Sequence, residues 1–161
     1  MTVASPVGLL RLVATGDALS AVSWHDEAPL DPSAADPQRR DMTSEAEHPI
    51  LRRTAQQLNE YFAGDRTSFD IPLDLRGTPF QVAAWRALGS IPYGTTRSYL
   101  EQATWIGRPT AVRAIGQANG RNPVPIVLPC HRVIGADGSL VGYGGGLDRK
   151  TTLLRLEGAL G

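Results

Sequence analysis

Three prolines within seven residues restrict the backbone of this chain more than any other feature. Pro123, Pro125 and Pro129 each fix their own φ and disfavour the helical region for the residue before them. Because proline also lacks an N–H group, the segment cannot pair fully as a central strand. The sequence therefore predicts a rigid, extended, non-helical segment at this place.

This segment ends at the only cysteine of the chain, Cys130, which is followed directly by His131. A thiol is nucleophilic as the thiolate, and its reference pKa of about 8.5 means that a neighbouring group must help to ionise it near neutral pH. His131, Arg132 and a helix terminus are the candidates for that help. A lone cysteine is commonly a small buried hydrophobe, but rigid backbone leading to a Cys-His pair favours a catalytic thiol.

Charge is divided unevenly along the chain, although its net value is zero. Residues 1–75 carry six Arg against twelve Asp plus Glu, a net charge of −6, whereas residues 76–161 carry nine Arg and Lys150 against four acidic residues, a net charge of +6. We therefore expect two domains, residues 1–76 and 77–161. The basic second domain favours a polyanionic partner, although attraction between two packed domains would explain the same pattern.

The remaining composition argues against several classes of protein. Hydrophobic residues make up 42% and charged residues 20%, which is ordinary for a folded domain and unlike a disordered chain. No stretch approaches the roughly 18 apolar residues of a membrane span, so we expect no membrane partner. One cysteine forms no internal disulfide and no Cys-based metal site, which predicts a reducing, cytoplasmic compartment.

The N-terminal domain shows the patterns of a small sheet with a helix. Two apolar runs separated by a Gly-containing turn predict a β-hairpin over residues 7–24. Residues 26–46 lack periodicity and predict a mobile surface loop, to which we assign no chemistry. A helix is expected from Pro49 to a cap at Gly64. Alternation over residues 69–75 predicts a strand.

The C-terminal domain is predicted to be mostly helical. Residues 78–81, Thr-Pro-Phe-Gln, have the form of a capping box and open an apolar helix that ends at Gly89. A second helix, with a capping serine, is expected over residues 98–106. After a three-residue break, Thr110 caps a third helix over residues 111–119.

The second and third of these helices form a helix-turn-helix pattern, a common DNA-binding arrangement. The third helix carries small residues that allow close approach to a groove, and one large cation in its first turns, Arg113. Arg108 and Arg121 are further candidates for phosphate contacts. The small residues are Ala111, Ala114, Gly116 and Ala118. They would serve equally to pack helix on helix, so this pattern alone leaves both interpretations open.

Beyond the Cys-His pair, a tight turn is expected at Asp137-Gly138, between two short strands. The glycine-rich residues 141–146 then allow the main chain to approach a ligand closely. They lack the preceding strand and the Gly-Lys-Ser/Thr sequence of a phosphate-binding loop, which argues against nucleotide binding. A final helix is predicted from Asp148 to Glu157.

Several short motifs occur together in this half of the chain. Residues 129–133 read Pro-Cys-His-Arg-Val, preceded by Arg-Ala-Ile-Gly at 113–116 and Asn-Pro-Val-Pro-Ile at 122–126, and followed by Tyr143, Gly145-Gly146-Leu147, Lys150 and Leu153-Leu154-x-x-Glu157. In this order and spacing, the region from Thr78 to Gly158 resembles the O6-alkylguanine-DNA alkyltransferase family. The resemblance implies DNA repair by an irreversible, stoichiometric transfer, in which Cys130 takes the alkyl group of O6-alkylguanine, or of O4-alkylthymine, after base flipping.

The resemblance also implies the fold and the mode of binding. The fold would be an α/β N-terminal domain, ribonuclease-H-like with a small antiparallel sheet plus helix, followed by a mostly helical C-terminal domain with a winged helix-turn-helix. The protein would act as a monomer on duplex DNA through the minor groove. Cooperative binding along the DNA is left open.

The residues around the thiol receive roles from the same resemblance. His131 would act as general base on the thiol through a water, and Glu157 would orient His131 and balance its charge. Asn122 would fix the turn before the active-site segment. Tyr99 would assist flipping or donate a proton to the leaving guanine, and Lys150 would stabilise the oxygen of that guanine.

The resemblance further implies a DNA-binding set and a pocket for the flipped base. Arg113 would enter the base stack in place of the flipped nucleotide. The DNA-binding residues would be Tyr99, Thr110, Ala111, Arg113, Ala114, Gly116 and Arg121. The pocket residues would be Val141, Tyr143, Gly144 and Gly145, with Tyr143 forming a wall.

Two departures from the family pattern affect these expectations. Gly144 stands where some relatives carry a hydroxyl residue beside the base, so we expect a looser loop and tolerance of varied lesions. Some relatives bind zinc in the N-terminal domain, but this chain has no cysteine there, and His25 and His48 are not in ligand-like company. We therefore predict no metal and no cofactor.

Three other functions fit the sequence less well. A lesion-sensing alkyltransferase-like protein would lack the cysteine that this chain has. A helix-turn-helix transcription regulator would need a dimerisation helix, which is not evident. A cysteine hydrolase would need Cys130 and His131 to face each other, which adjacent side chains do not generally do.

Overall fold

The computed structural model describes residues 1–26 and 48–160. The chain divides into two compact units, residues 1–75 and residues 76–161. The surface loop predicted over residues 26–46 lies, apart from its first residue, outside the described residues. No described helix is long and apolar enough to cross a membrane.

The first unit contains a three-stranded antiparallel sheet. Strands β1 (Thr2–Val3), β2 (Leu10–Thr15) and β3 (Ala18–Trp24) lie in that order, and β2 with β3 confirms the predicted hairpin. The chain turns between them at Gly16, whose φ of 59° suits a residue without a side chain. Alternation along both strands buries one face, which forms the core of this unit.

Helix α1 (Pro49–Phe62) covers the buried face of the sheet. Its start at Pro49 and the left-handed Gly64 after its C-terminus, with φ 83°, confirm the prediction. The N-cap is the buried His48, whose Nδ1 accepts a hydrogen bond from the Ile50 N–H at 3.2 Å. The sequence did not identify this capping role.

The strand predicted over residues 69–75 is wrong. Within residues 1–26 and 48–160, this segment forms a single parallel bridge, between Leu73 and Leu19. Pro72 has no N–H to give to a ladder, although its carbonyl accepts from the Leu19 N–H at 2.8 Å. The main chain of Asp70 bonds instead to the side-chain amide of Gln57, at 2.9 Å and 3.2 Å. These side-chain bonds replace sheet pairing.

The second unit is mostly helical, as predicted. Its helices are α2 (Pro79–Leu88), α3 (Tyr99–Trp105), α4 (Val112–Gly120) and α5 (Leu147–Leu156). Helices α2, α3 and α4 pack together around a small apolar core of Ala84, Ala103, Ile115 and Ala118. Two short parallel strands, β4 (Arg97–Ser98) and β5 (Val133–Ile134), join the start of α3 to the chain after Cys130.

Two of the three side-chain caps predicted for the helices of this unit are confirmed. The capping box at Thr78 is confirmed, and Ser98 forms a second box with Glu101. The cap predicted at Thr110 is wrong, because α4 begins at Val112 with Ala111 as N-cap and no side-chain hydrogen bond. The Ala111 N–H bonds to the Arg108 carbonyl at 2.9 Å, and this extra turn lengthens the break between the helices.

The structure contradicts two further expectations, one about Ala118 and one about the strands around Asp137-Gly138. Ala118, placed among the groove-facing residues, is buried in the core between α2, α3 and α4. The turn at Asp137-Gly138 forms, with φ 85° at Gly138, but only the strand before it exists. That strand, β5, pairs with β4 and does not form a hairpin with residues 139 and 140.

Candidate active site

Cys130 is the first residue of a short 3-10 turn, Cys130–Arg132, held by the side chain of Asn122. Asn122 donates to the Leu128 carbonyl at 2.8 Å and accepts from the Val124 N–H at 3.0 Å. The chain between them folds back on itself, with a bond from the Leu128 N–H to the Val124 carbonyl at 2.9 Å. The segment is therefore a compact turn, and the predicted extended form is wrong.

The tip of this turn is strained. Ile126, which is buried, has a φ of 75°, a left-handed conformation that a β-branched residue rarely adopts. Such a residue costs roughly 1–2 kcal/mol, which the surrounding bonds of Asn122 offset. The three prolines limit the backbone conformations that this segment can adopt. The hydrogen bonds of Asn122 stabilise the one that positions Cys130.

The Cys130 thiol is buried and holds its proton at neutral pH. Burial raises its pKa to about 11, and four weaker influences oppose that rise: a hydrogen bond with Asn122, the charge of Lys150 and the main-chain N–H groups of Cys130 and His131. A helix terminus was one of the groups expected to favour the Cys130 thiolate, and these two N–H groups, at the start of the 3-10 turn, have that effect. Arg132, predicted as a helper, is engaged elsewhere.

Glu157 holds His131 and Arg132 together in the interior. His131 Nε2 lies 2.7 Å from Glu157 Oε2, while Arg132 donates from Nε to Oε1 at 2.8 Å and from Nη2 to Oε2 at 3.0 Å. Arg132 also donates to the Ile91 carbonyl at 2.7 Å. All three charged or polar side chains are buried, and the two-pronged contact keeps the carboxylate ionised and fixed.

This arrangement determines which nitrogen of His131 carries the proton. The ionised Glu157 carboxylate can only accept a hydrogen bond, so Nε2 of His131 must be the donor. We therefore place the proton on Nε2 and the free electron pair on Nδ1. Nδ1 is buried and has no hydrogen-bond partner among the described residues. Burial lowers the pKa of His131 despite the opposing effect of Glu157, so the ring is neutral and able to accept a proton.

Lys150 is fully covered and clamps main-chain carbonyls. Its ammonium donates to the carbonyls of Val133 at 2.6 Å, Val141 at 3.2 Å and Gly142 at 3.4 Å. Burial lowers its pKa from 10.5 to about 8. Contact with the oxygen of a bound guanine would require it to release one of these carbonyls, whereas its charge already favours the Cys130 thiolate.

Tyr99, the first residue of α3, lies between α4 and the glycine-rich loop of residues 141–146. Its hydroxyl donates to the Val141 carbonyl at 2.7 Å, and the Lys150 ammonium lies 6.0 Å from its ring centre. A side-chain carbon at Gly116 of α4 would lie 3.9 Å from the ring. Burial raises the pKa of Tyr99, so the phenol is a proton donor.

The predicted pocket loop runs beside the end of α4. A side-chain carbon at Gly144 would meet the Gly120 carbonyl at 3.2 Å, so a larger residue there would have to displace the loop by a few tenths of an ångström. Gly145 is buried, Tyr143 is half-buried and Val141 is exposed. The four predicted pocket residues therefore lie on one short loop attached to Tyr99 and Lys150.

The predicted DNA-binding residues differ in exposure. Arg113, Thr110 and Arg121 are exposed at the ends of α4, while Ala111, Ala114 and Gly116 are half-buried. Val112, which the sequence analysis passed over, exposes 39% of its surface at the start of this helix. Among residues 1–26 and 48–160, no three His, Cys, Asp or Glu side chains are grouped as metal ligands would be.

The sequence predicted the contact of Glu157 with His131 but not its contact with Arg132. An isolated glutamate near the end of a helix usually points to solvent, and only its burial against Arg132 reveals the three-residue contact. The adjacent position of Arg132 in the Pro-Cys-His-Arg motif was the available signal. The left-handed Ile126 had no signal in the sequence, because β-branched residues disfavour that conformation.

Comparison with known proteins identifies both units. Residues 1–75 match the ribonuclease-like domain, and residues 79–159 the DNA binding domain, of 6-O-methylguanine DNA methyltransferase. A methylated-DNA–protein-cysteine methyltransferase of Mycolicibacterium paratuberculosis is 54% identical over 157 residues, covering 97% of this chain and 90% of the relative.

Solved structures agree with the sequence matches. The O6-methylguanine methyltransferase of Mycobacterium tuberculosis superposes with a TM-score of 0.84 at 48% identity, covering 98% of this chain and 91% of that one. The same relative in complex with DNA gives a TM-score of 0.82 at 46% identity, with the same coverage. The chain therefore belongs to the 6-O-methylguanine DNA methyltransferase family.

Proposed function

We propose that Cys130 accepts the alkyl group and that each molecule reacts once. The protein repairs DNA by transferring an alkyl group to a cysteine, as its family does, and Cys130 is its only cysteine. The observation that carries the proposal is the buried series of contacts from Arg132 through Glu157 to His131, the residue that follows Cys130 in the chain. These contacts orient a neutral base on the same short turn as a nucleophile that needs one.

The reaction begins with loss of the thiol proton. Cys130 gives it through a water to His131 Nδ1, and Glu157 stabilises the resulting imidazolium. The thiolate, favoured by the charge of Lys150, attacks the alkyl carbon from the side opposite the O6 atom of guanine. The S–C bond forms while the C–O bond breaks, and the electron pair stays with the guanine.

The products explain why the protein acts once. The leaving guanine takes up a proton, which we assign to the Tyr99 hydroxyl, and the thioether left on Cys130 is not readily cleaved by water. Asn122 keeps the nucleophile in place through its bonds to Val124 and Leu128. No cofactor takes part in these steps. A free thiol that must stay reduced supports a cytoplasmic location.

Base flipping connects this chemistry to DNA binding. The alkylated oxygen of a stacked base cannot be aligned with a buried thiol, so the nucleotide must leave the duplex. We assign α3 and α4 to a winged helix-turn-helix in the minor groove, with Arg113 filling the vacated stack and Thr110, Ala111, Ala114, Gly116 and Arg121 along the DNA. The exposure of Arg113 and the position of Tyr99 between Gly116 and the pocket loop support this assignment.

The pocket loop bears on the range of lesions. We assign the edge of the flipped base to the main chain of residues 141–145, with Tyr143 as a wall. Because Gly144 brings no hydroxyl group to the base, recognition depends on main-chain groups that suit O6-alkylguanine and O4-alkylthymine alike. One protomer supplies every group, so we expect a monomer to be sufficient.

The proposal is tested by weighing the intact protein after incubation with four duplexes. They carry O6-methylguanine, O4-methylthymine, a bulkier O6-alkylguanine or no lesion. With each lesion we expect a mass gain equal to one alkyl group minus the thiol hydrogen that it replaces, with no gain for the undamaged duplex or for the Cys130→Ser variant. Binding of lesions without a mass gain would contradict transfer to Cys130, and transfer from O6-methylguanine alone would contradict the broad lesion range.

A further inference from the structure

Two amide side chains face each other in the interior of the helical unit. Gln102 of α3 donates from Nε2 to Asn119 Oδ1 at 2.9 Å, and Asn119 of α4 donates from Nδ2 to Gln102 Oε1 at 2.8 Å. Gln102 Nε2 also donates to the Ala84 carbonyl of α2 at 3.0 Å. Gln102 is completely buried and Asn119 is 8% exposed. Neither takes part in the chemistry proposed for Cys130.

The amide pair adds directional contacts to the apolar packing of this core. The buried core between α2, α3 and α4 is formed by Ala84, Ala103, Ile115 and Ala118, with the partly buried Phe80, Tyr99 and Ile106 packed against it. Apolar contacts are non-directional, so they favour close packing without selecting one hydrogen-bonded register. Directional bonds supply what such packing lacks, and a buried polar pair is costly in any arrangement that leaves it unsatisfied.

A further bond extends this connection along α4. Trp85 of α2 donates from its indole to the Ala118 carbonyl at 2.7 Å, next to Asn119. The last turn of α4 is thus bonded to both other helices, while its first turns, with Arg113, remain exposed. Three residues after Asn119 comes Asn122, which holds the Cys130 segment by a separate set of bonds.

We propose that Gln102 and Asn119 are positioning residues that set the register of α4, and with it the presentation of Arg113 to DNA. This role rests on the proposed function of α4 in DNA binding. Because Asn122 holds the Cys130 segment independently, breaking the amide pair changes reaction with duplex DNA and leaves the reactivity of the thiol itself unchanged.

Two double variants separate this role from plain stability. Gln102→Met with Asn119→Leu replaces both amides by apolar side chains of similar shape, so neither amide is left facing a missing partner, and the Ala84 carbonyl loses only the bond from Gln102. Gln102→Asn with Asn119→Gln exchanges the two residues and returns two facing amides. For each we measure the single-turnover rate of transfer from an O6-methylguanine duplex and the rate of Cys130 alkylation by iodoacetamide, at a temperature where circular dichroism shows the folded state.

We expect the apolar double variant to lose at least about tenfold in duplex transfer, while its iodoacetamide rate stays within about twofold of wild type. The exchanged variant should recover most of the duplex rate. If duplex transfer is unchanged, or if both rates fall by the same factor, the positioning role is wrong. If the apolar variant does not fold, Gln102→Glu, which keeps the shape but removes the two donors, is judged by the same ratio.

The wild-type protein in the same experiment distinguishes this proposal from the proposed function. If wild type takes no alkyl group from the duplex, the assignment of Cys130 as acceptor fails, and the positioning role fails with it. If wild type reacts and the apolar variant reacts equally well, only the positioning role is overturned.

Discussion

Cys130 combines a nucleophilic atom with an environment that keeps it unreactive. Burial holds its pKa at about 11, so the thiolate is scarce at neutral pH in the free protein. This protects the acceptor from general alkylation, because the thiolate is the reactive form. Reaction therefore depends on His131, and the ability of His131 to act depends on Glu157.

Replacing Glu157 by Gln tests that dependence. The variant leaves the Arg132 guanidinium buried without its charge partner and removes the carboxylate that fixes the His131 tautomer. We expect a loss of about 3–5 kcal/mol in the free energy of unfolding and a transfer rate lower by about 10²–10⁴. Denaturant unfolding and single-turnover transfer from an O6-methylguanine duplex measure the two effects.

Glu60→Gln is the matched control. Glu60 pairs with Arg66 at 2.9 Å in the other unit, with both side chains partly exposed. A surface pair of this kind contributes little to stability, so this variant should stay folded and transfer at the wild-type rate. A Glu157→Gln protein that is folded and reacts as fast as wild type would show that Glu157 has no role in the chemistry.

Lys150→Met tests the charge beside the thiol through its pH dependence. Burial lowers the pKa of Lys150 from 10.5 to about 8, so its ammonium is charged below that pH and neutral above it. Below pH 8 the variant should react with iodoacetamide about tenfold more slowly than wild type, because the thiolate loses a nearby cation. Above pH 8 the two rates should converge. A ratio that is constant across this range would contradict an electrostatic role.

At the level of elements, local signals in the sequence predicted the helices well. The capping box at Thr78 and the serine cap at Ser98 depend on side chains three residues apart, which a sequence displays directly. The failures at residues 69–75 and 122–129 have another cause. In both, a side-chain amide bonds to the main chain and replaces the pairing or extension that local preference favours. Gln57 of α1 does this for the first segment, and Asn122, the first residue of the second segment, does it for the second.

Helix α4 is the element that we expect to contact DNA through Arg113. Arg113→Ala should slow transfer from an O6-methylguanine duplex by at least about tenfold, because the gap left by a flipped base would stay empty. The free energy of unfolding should change by less than about 0.5 kcal/mol, since Arg113 is exposed. The iodoacetamide rate of Cys130 should be that of wild type.

Arg52→Ala, which removes an exposed arginine from α1, is the control for a general effect of charge. It should leave duplex transfer unchanged. If both variants slow transfer equally, Arg113 acts only through net charge, and its assignment to the base stack is wrong.

Across the whole molecule, the motifs of the sequence predicted a set of residues from Arg113 to Glu157, and the structure brings several of them together in the second unit. Motifs can indicate such residues because each is a short run of neighbours that a sequence displays directly. The catalytic and DNA-binding roles of these residues stay predictions. The contact of Arg132 with Glu157, the strain at Ile126 and the buried pair of Gln102 with Asn119 came only from the structure. These features depend on contacts between side chains in the interior, and the periodicity of a sequence does not predict such contacts.

The two units also carry opposite net charges. The second unit carries a net charge of +6 and contains every residue assigned to DNA, while the first carries −6 over residues 1–75. A basic unit attracts the duplex, and an acidic one disfavours wrong contacts with it. The division of charge seen in the sequence therefore agrees with the assignment of DNA binding to the second unit.

The most direct test of the central claim is the stoichiometry and location of the transferred group. The protein is incubated with excess O6-methylguanine duplex, weighed intact and mapped by peptide mass, and then given fresh duplex. We expect one methyl group per molecule, located on Cys130, and no further consumption of lesions after that. Continued turnover, or a methyl group on any other residue, would contradict the claim that Cys130 is a single-use acceptor.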